Sequence, residues 1–190
     1  HWRLPGALQA GPQRRISPPM TVRQRLRLVS LVLAAAPAAM LGFVYYAQYV
    51  MGLLPCILCL YQRPPHFVAA AAALLALAFV GGPRGVSRAF LGLAGAAFLI
   101  GAGIAAFHAG VEWKFWPGLA ECGGSVDPIA TNIGDLVSGM ETAKIVRCDE
   151  PAWVFMGLSM AGWNAIISSL LAAIAFWGMV QGQLKGRFRA

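Results

Sequence analysis

The chain has 190 residues, of which 58% are hydrophobic and only 12% are charged, and its mean hydropathy is +0.65. A water-soluble domain of this length cannot hide so much apolar surface, so the composition excludes an ordinary soluble protein. The formal net charge of +8 is distributed over separate short segments, which argues against a nucleic-acid-binding protein.

Four apolar stretches follow one another along the chain, at about residues 28–49, 67–82, 89–110 and 153–180. Stretches of roughly 18 or more apolar residues are long enough to cross a bilayer as helices. The second stretch has only about 16 residues, and it reaches a full span if it begins near Tyr61. The pattern predicts an all-α polytopic membrane protein, a four-transmembrane-helix bundle in contact with the lipid bilayer.

The domain organisation follows from these spans. Residues 1–22 are rich in Pro, Gly and Arg without periodicity, which predicts a disordered cytoplasmic N-terminal segment. Residues 23–182 form the membrane domain, with external loops at about 50–60 and 111–151, and residues 183–190 form a basic cytoplasmic tail.

The charged residues predict the orientation of the bundle. Eleven of the fifteen Lys and Arg residues lie in residues 1–27, in the tail and in the short link that carries Arg84 and Arg88. We assign all seven acidic residues to the long loop between the third and fourth spans. Because short loops rich in Lys and Arg stay in the cytoplasm, both termini and the link are expected inside and the two other loops outside.

The long loop carries one periodic segment. Ile133, Leu136, Val137 and Met140 recur at the spacing of one helix face, with polar residues between them. This pattern predicts a short amphipathic helix that lies on the outer surface of the membrane.

All four cysteines, Cys56, Cys59, Cys122 and Cys148, fall in the external loops, which favours disulfide chemistry. A four-cysteine zinc site normally uses two close pairs, whereas Cys122 and Cys148 are 26 residues apart, so we predict no metal site. A Cys56–Cys59 bridge encloses only two residues and gains little loop entropy, which is typical of a redox pair. Two structural disulfides remain the alternative, and closing Cys122 to Cys148 would contribute roughly 3–4 kcal/mol.

Arg63 and His108 are the candidate partners of the CxxC pair. Arg63 follows Cys59 by four residues, so in a continuous helix its guanidinium would lie beneath the thiol and favour the thiolate. The alternative for Arg63 is an interfacial side chain that reaches towards the head groups. His108, at the outer end of the third span, is open between an interfacial residue and a ligand of the site.

Three sequence motifs together carry a resemblance to a known family. They are PCILCLYQR at residues 55–63, His108 at the end of the third span, and CDEPAW at 148–153 leading to GLS at 157–159. This pattern resembles the disulfide bond formation protein B (DsbB) family over about residues 23–181. The resemblance implies an enzyme of the bacterial inner membrane, a thiol:quinone oxidoreductase that reoxidises a periplasmic DsbA-like thioredoxin-fold oxidase and so supports protein folding.

The resemblance also implies residue roles. Cys122 and Cys148 would be the pair that meets the partner, and Cys56 and Cys59 the pair that passes electrons to a quinone. Arg63 and His108 would bind that quinone, ubiquinone or menaquinone. All four cysteines would face the periplasm and both termini the cytoplasm.

Some features depart from the family or fit other classes of protein. Gln62 stands where some members carry Glu, and the ECGG context of Cys122 differs from the enterobacterial type, which bears on the identity of the partner. The vitamin K epoxide reductase family has its loop pair before its CxxC, the reverse of the order here. A non-catalytic scaffold with two structural disulfides remains an alternative. A small transporter fits less well because the spans lack acidic residues and lysines.

Overall fold

The structure, a computed structural model, describes residues 20–123 and 146–184. Its helices are α1 (Val22–Tyr49), α2 (Ile57–Tyr61), α3 (Arg63–Ala78), α4 (Arg84–Glu112) and α5 (Met160–Leu184). Short 3-10 turns cover Phe79–Gly81 and Ala120–Gly123, and two short strands are β1 (Val154–Phe155) and β2 (Leu158–Ser159).

Four helical segments of the described chain are long and apolar enough to cross a membrane, which confirms the predicted four-helix membrane fold. They are Val22–Tyr49, Ile57–Gly81, Gly85–Glu112 and Met160–Gln181. The first helix begins at Val22 because Thr21 and Gln24 form a capping box, in which each side chain bonds the backbone N–H of the other residue.

The bundle packs most extensively along α4, which contacts α5 and α3. Small residues allow this close approach, as in other membrane helices. A Cβ added at Gly95 of α4 would lie 3.1 Å from the Phe176 ring of α5. A Cβ at Gly178 of α5 would lie 2.9 Å from Val29 of α1. Fully buried Phe98 and Leu33 belong to the core that these helices enclose.

The second span is interrupted at its outer end. Gln62 ends α2 and precedes α3, and Pro64 and Pro65 occupy the first turn of α3, where their missing N–H groups cost little. Prolines favour the first turn of a helix, and both lie there in α3. The interruption separates the CxxC turn from the long part of the span and leaves Gln62 buried at the junction.

The fourth span begins later than the sequence predicts. Residues 154–159 form an antiparallel hairpin and not the start of a helix, with Val154 paired to Ser159 and Phe155 to Leu158. Met156 (φ +50°) and Gly157 (φ +81°) form its turn, a backbone conformation that hydropathy cannot detect. The helix therefore begins at Met160 and not at Trp153.

Two further predictions concern the end of the third span and the segments beyond the described residues. Glu112, assigned to the external loop from the sequence, is the last residue of α4, because the apolar helix continues past His108 for one more turn. The predicted amphipathic helix of 133–140, residues 1–19 of the N-terminal segment and residues 185–190 of the tail lie outside the described residues.

Candidate active site

The CxxC pair lies at the start of α2. Cys56 is the N-cap of that helix, and its sulfur accepts a hydrogen bond from the backbone N–H of Cys59 at 3.2 Å. The two sulfur atoms are 2.7 Å apart, so a disulfide would require them to approach by only about 0.7 Å. Cys56 is 4% exposed, while Cys59 is partly exposed. Hydrogen bonds from the Cys59 thiol and then from His108 outweigh burial and lower the pKa of Cys56 to about 5.

The second pair forms a disulfide in the structure. Cys122 and Cys148 are bonded, with their Cα atoms 5.2 Å apart. Both residues are buried, and they pack in one apolar cluster with Cys56 and Val111. The fold therefore brings the two cysteine pairs of the sequence into one cluster, although more than 60 residues separate Cys59 from Cys122.

His108 lies between the two pairs. It is 3% exposed, and its Nε2 atom is 3.6 Å from Cys56 Sγ and 3.8 Å from Glu112 Oε1. Its Nδ1 atom is 2.9 Å from the side-chain nitrogen of Gln62. The backbone of Cys148 also lies close to the ring. A residue of α4 thus contacts the CxxC pair and faces the backbone beside the disulfide.

Glu112 is a further buried acid at the site. Its side chain is 6% exposed, and it accepts a hydrogen bond from the Ser159 hydroxyl of the hairpin. Because it follows His108 by four residues, the two side chains share one face of α4. Buried carboxylates are rarely left without such partners.

A chain of polar side chains continues from His108 into the bundle. The Gln62 side-chain oxygen accepts from Asn164 at 2.6 Å, and Asn164 in turn accepts from Ser168 at 2.9 Å. His66 is bonded to the Gln62 backbone carbonyl at 2.8 Å and lies 3.4 Å from Ser168. These residues join α3, α4 and α5 at the level of the CxxC turn.

The sequence led us to expect that Arg63 lies beneath Cys59. The expectation required one continuous helix, but the helix is interrupted at Gln62. The Arg63 guanidinium instead donates to Gln48 of α1 at 2.7 Å and lies over the Tyr45 ring, 4.9 Å from its centroid. The Nε atom of Arg63 is buried and has no hydrogen-bond partner among the described residues.

A cavity of about 280 Å³ connects these groups. Its lining combines the CxxC pair with Arg63 and His108, and most of its remaining surface is apolar, contributed by residues of α1, α5 and the segment before β1. The apolar contributors include Met40, Phe43, Val44, Trp153 and Ile167. The cysteine pair and the arginine thus face one apolar chamber from the same side of the second span.

Three of these side chains have the spacing of a metal site. One ligand atom each from Cys56, Cys59 and His108 lies within 4.8 Å of the others. The sequence prediction of no metal site considered all four cysteines and did not anticipate this group. Cys and His are ordinary zinc ligands, so whether the group can bind a metal depends on which nitrogen of His108 carries hydrogen.

Beside the disulfide lies a second, more polar depression of about 800 Å³. It is bordered by Cys122 and by an exposed charge cluster, in which Asp149 contacts Lys114 at 2.5 Å and Arg147 at 2.8 Å. Hydrogen bonds from Arg147 and then Lys114 hold the pKa of Asp149 well below its usual value. The cluster links the end of α4 to the residue that follows Cys148.

Sequence reasoning missed several residues of this site. Asn164 and Ser168 are four residues apart in a mostly apolar span, a signal for an inward-facing polar pair that could have been used. Glu112, four residues after His108, carried a similar signal. Gln48 carried none, because its role depends on the way α1 faces α3.

Taken together, a four-helix membrane bundle that packs a CxxC pair against the Cys122–Cys148 disulfide is a membrane protein of thiol–disulfide chemistry. The family model for Disulfide bond formation protein DsbB matches residues 26–178. The chain therefore belongs to the DsbB family of membrane disulfide bond formation proteins.

Individual relatives agree with this assignment. Disulfide bond formation protein B of Marinobacter nauticus is 34% identical over 172 residues, which cover 85% of this chain and 94% of the relative. The protein of the same name from Aromatoleum aromaticum is 32% identical over 155 residues, covering 78% and 89%. That of Acinetobacter baumannii is 28% identical over 162 residues, covering 82% and 92%.

Proposed function

We propose that this protein is a thiol:quinone oxidoreductase of the bacterial inner membrane, which reoxidises a periplasmic DsbA-like dithiol oxidase. The observation that carries the proposal is the apolar cavity that Cys56 and Cys59 share with Arg63. A redox pair that served only other proteins would have no need of an apolar chamber within the membrane domain.

The cavity suits the head group of a quinone. Its volume of about 280 Å³ is close to the lower limit of ordinary ligand sites, which supports a single substituted ring. Arg63 Nε is a buried donor without a partner among the described residues, and a quinone oxygen would satisfy it. When bound, the quinone supplies a two-electron acceptor in the membrane, and Arg63 would hold one of its oxygens.

The residues of the chain would carry the remaining chemistry by disulfide exchange. A thiolate of the reduced partner attacks the Cys122–Cys148 disulfide and forms a mixed disulfide, which the partner's second thiol resolves. The partner leaves with a disulfide, and Cys122 and Cys148 hold the two electrons as thiols. These thiols then reduce the Cys56–Cys59 disulfide, with which they share one apolar cluster.

The CxxC pair would complete the cycle. The dithiol of Cys56 and Cys59 loses two electrons and two protons as its disulfide forms again, and the quinone becomes quinol. A thiolate at Cys56 is favoured by its N-cap position and by its hydrogen bonds. We infer that the cysteines face the periplasm, where the DsbA-like partner would be, and that both termini face the cytoplasm.

Quinone reduction by the purified protein tests the proposal. With a reduced dithiol protein as the donor, we expect one quinone to be reduced for each disulfide formed. Cys59→Ala should abolish quinone reduction but leave a single exchange of Cys122–Cys148 with the donor. A wild-type protein whose cysteine pairs do not change redox state when quinone is added would identify a scaffold with structural disulfides.

A further inference from the structure

The orientation of the Gln62 amide is fixed by its neighbours. Its side-chain nitrogen lies 3.1 Å from the Leu58 carbonyl oxygen, which can only accept, so the NH₂ group must be on that side. Its side-chain oxygen accepts from Asn164, whose own oxygen accepts from the Ser168 hydroxyl. The reversed amide would bring two acceptors together at Leu58 and two donors together at Asn164.

This orientation determines the tautomer of His108. The same NH₂ group of Gln62 lies 2.9 Å from His108 Nδ1, so that nitrogen must accept and carries no hydrogen. The hydrogen of the neutral ring is then on Nε2. That nitrogen faces two acceptors, Cys56 Sγ at 3.6 Å and Glu112 Oε1 at 3.8 Å.

We propose that Gln62 is a positioning residue of the thiol site, which holds His108 as the neutral Nε2–H tautomer and so directs a hydrogen-bond donor at the Cys56 sulfur. The tautomer itself does not depend on the proposed function, but its catalytic use rests on it. A donor at Cys56 stabilises the thiolate without placing a second full charge in a buried site.

The same tautomer affects whether Cys56, Cys59 and His108 can bind a metal ion. A metal-bound histidine ligates through one nitrogen and donates its other N–H to an acceptor. Here the nitrogen that faces the sulfurs carries the hydrogen, and the other nitrogen faces the NH₂ of Gln62. Gln62 therefore also opposes metal binding at a site that otherwise has suitable ligand spacing.

The tautomer can be measured directly. The sequence has three histidines, His1, His66 and His108, so ¹⁵N-histidine labelling of the reduced protein in micelles gives few ring signals, and His108→Asn identifies those of His108. We expect hydrogen on Nε2 and a bare Nδ1 in the wild type at neutral pH. Gln62→Glu, whose carboxylate accepts from Nδ1–H, should move hydrogen to Nδ1.

Gln48→Leu is the matched control, because Gln48 is an amide that bonds Arg63 and not His108. It should leave the ring signals of His108 in the wild-type pattern. Wild-type His108 with hydrogen on Nδ1, or an unchanged pattern in Gln62→Glu, would overturn the proposal. Neither measurement requires quinone reduction, so this test of the tautomer is independent of the proposed function.

The pH dependence of Cys56 alkylation provides the second test, with Cys122–Cys148 kept oxidised and Cys59→Ser as the background. Gln62→Leu should lower the rate at mildly acid pH roughly tenfold, the effect of one hydrogen bond to a charged group. An unshifted pH profile in Gln62→Leu would contradict the positioning role. The other titratable groups that line the same cavity are Cys59, Arg63, His66, His108, Glu112, Arg147 and Glu150, and of these only Cys59 is replaced in the proteins compared.

Discussion

At the scale of single residues, Arg63 shows how a local expectation changes in three dimensions. Four-residue spacing suggested contact with Cys59, but the guanidinium is held by Gln48 and Tyr45 of α1. One donor, Nε, remains without a partner among the described residues. Arg63 therefore connects α1 to the cavity that the CxxC pair also lines.

Replacing Arg63 by Lys distinguishes two possible roles of this residue, a ligand of the quinone and an anchor at the membrane interface. Lys keeps the charge but loses the planar set of donors that bonds Gln48 and a ligand together. We expect the KM for quinone to rise roughly tenfold in Arg63→Lys and further in Arg63→Ala, with the exchange at Cys122–Cys148 nearly unchanged.

Steady-state kinetics with varied quinone measure this effect, with protein yield and melting temperature as controls for insertion and folding. An Arg63→Lys protein with the wild-type KM would assign Arg63 to the membrane interface.

Much of the candidate site could be predicted at this scale, because reactive residue types are rare in apolar sequence. The four cysteines, Arg63 and His108 stand out for that reason. Glu112 and Asn164 were missed because a polar residue near a helix end is usually solvated. Their importance here comes from contacts with Ser159 and Gln62, which no local pattern contains.

At the scale of elements, the end of α4 is the segment that leads to the disulfide. Trp116 turns back across Gly110, stacks on Phe107 with ring centroids 5.8 Å apart, and donates from Nε1 to the Phe107 carbonyl. A Cβ at Gly110 would clash with the Trp116 ring. The glycine is thus needed for the chain to reverse direction before Cys122.

Gly110→Ala should displace Trp116 and destabilise the protein by about 1–3 kcal/mol, the usual cost of overpacking. Tryptophan fluorescence and thermal unfolding measure the two effects. Gly103→Ala is the control, because a Cβ at this glycine of the same helix meets nothing within 4 Å, and it should be neutral or stabilising. Equal melting temperatures for the two variants would contradict this account of Gly110.

The two cysteines of the disulfide should differ in their roles. Cys122 is 7% exposed and borders the polar depression, whereas Cys148 is 0% exposed. We expect the free Cys122 thiolate of Cys148→Ala to attack the disulfide of an oxidised partner, release one partner thiol and accumulate as a mixed disulfide, visible on non-reducing gels. Cys122→Ala should trap much less, and the opposite ranking of the two variants would reverse the roles.

Element boundaries were less predictable than the elements themselves. The number of spans follows from hydropathy, because a bilayer requires long apolar helices. The interruption at Gln62 and the hairpin before Met160 depend instead on prolines and on left-handed backbone at Met156 and Gly157, which hydropathy does not register.

At the scale of the whole molecule, the cysteine pairs and the basic link lie at opposite ends of α4. Helix α4 begins at Arg84 and ends at Glu112, and its 29 residues separate the basic link from the cysteine pairs by about 43 Å. At the basic end, Arg88 donates to the Met179 carbonyl of α5 at 2.8 Å. The separation is sufficient to put the two ends on opposite sides of a bilayer.

Site-directed labelling in a chain without native cysteines tests the orientation. A cysteine at Lys114 should react with an impermeant thiol reagent added from the periplasmic side, and one at Gly85 should react only after the membrane is opened. The positive-inside rule is the physical basis of this expectation. Labelling of Gly85→Cys from the periplasmic side would show that the orientation is the opposite of the predicted one. It would also remove the argument that the native cysteines face an oxidising compartment.

Because Cys56 is the N-cap of α2, the stability of that helix affects the reduction potential of the Cys56–Cys59 pair. Its sulfur accepts the Cys59 N–H most strongly as a thiolate, so forming the Cys56–Cys59 disulfide weakens the cap. A cap contributes about 1 kcal/mol, and its loss on oxidation would raise the reduction potential of the pair by roughly 20 mV. Hydrogen exchange of the Cys59 backbone amide should therefore become faster as the pair is oxidised during a redox titration. An exchange rate that does not change with potential would contradict a link between the N-cap and the redox state of the pair.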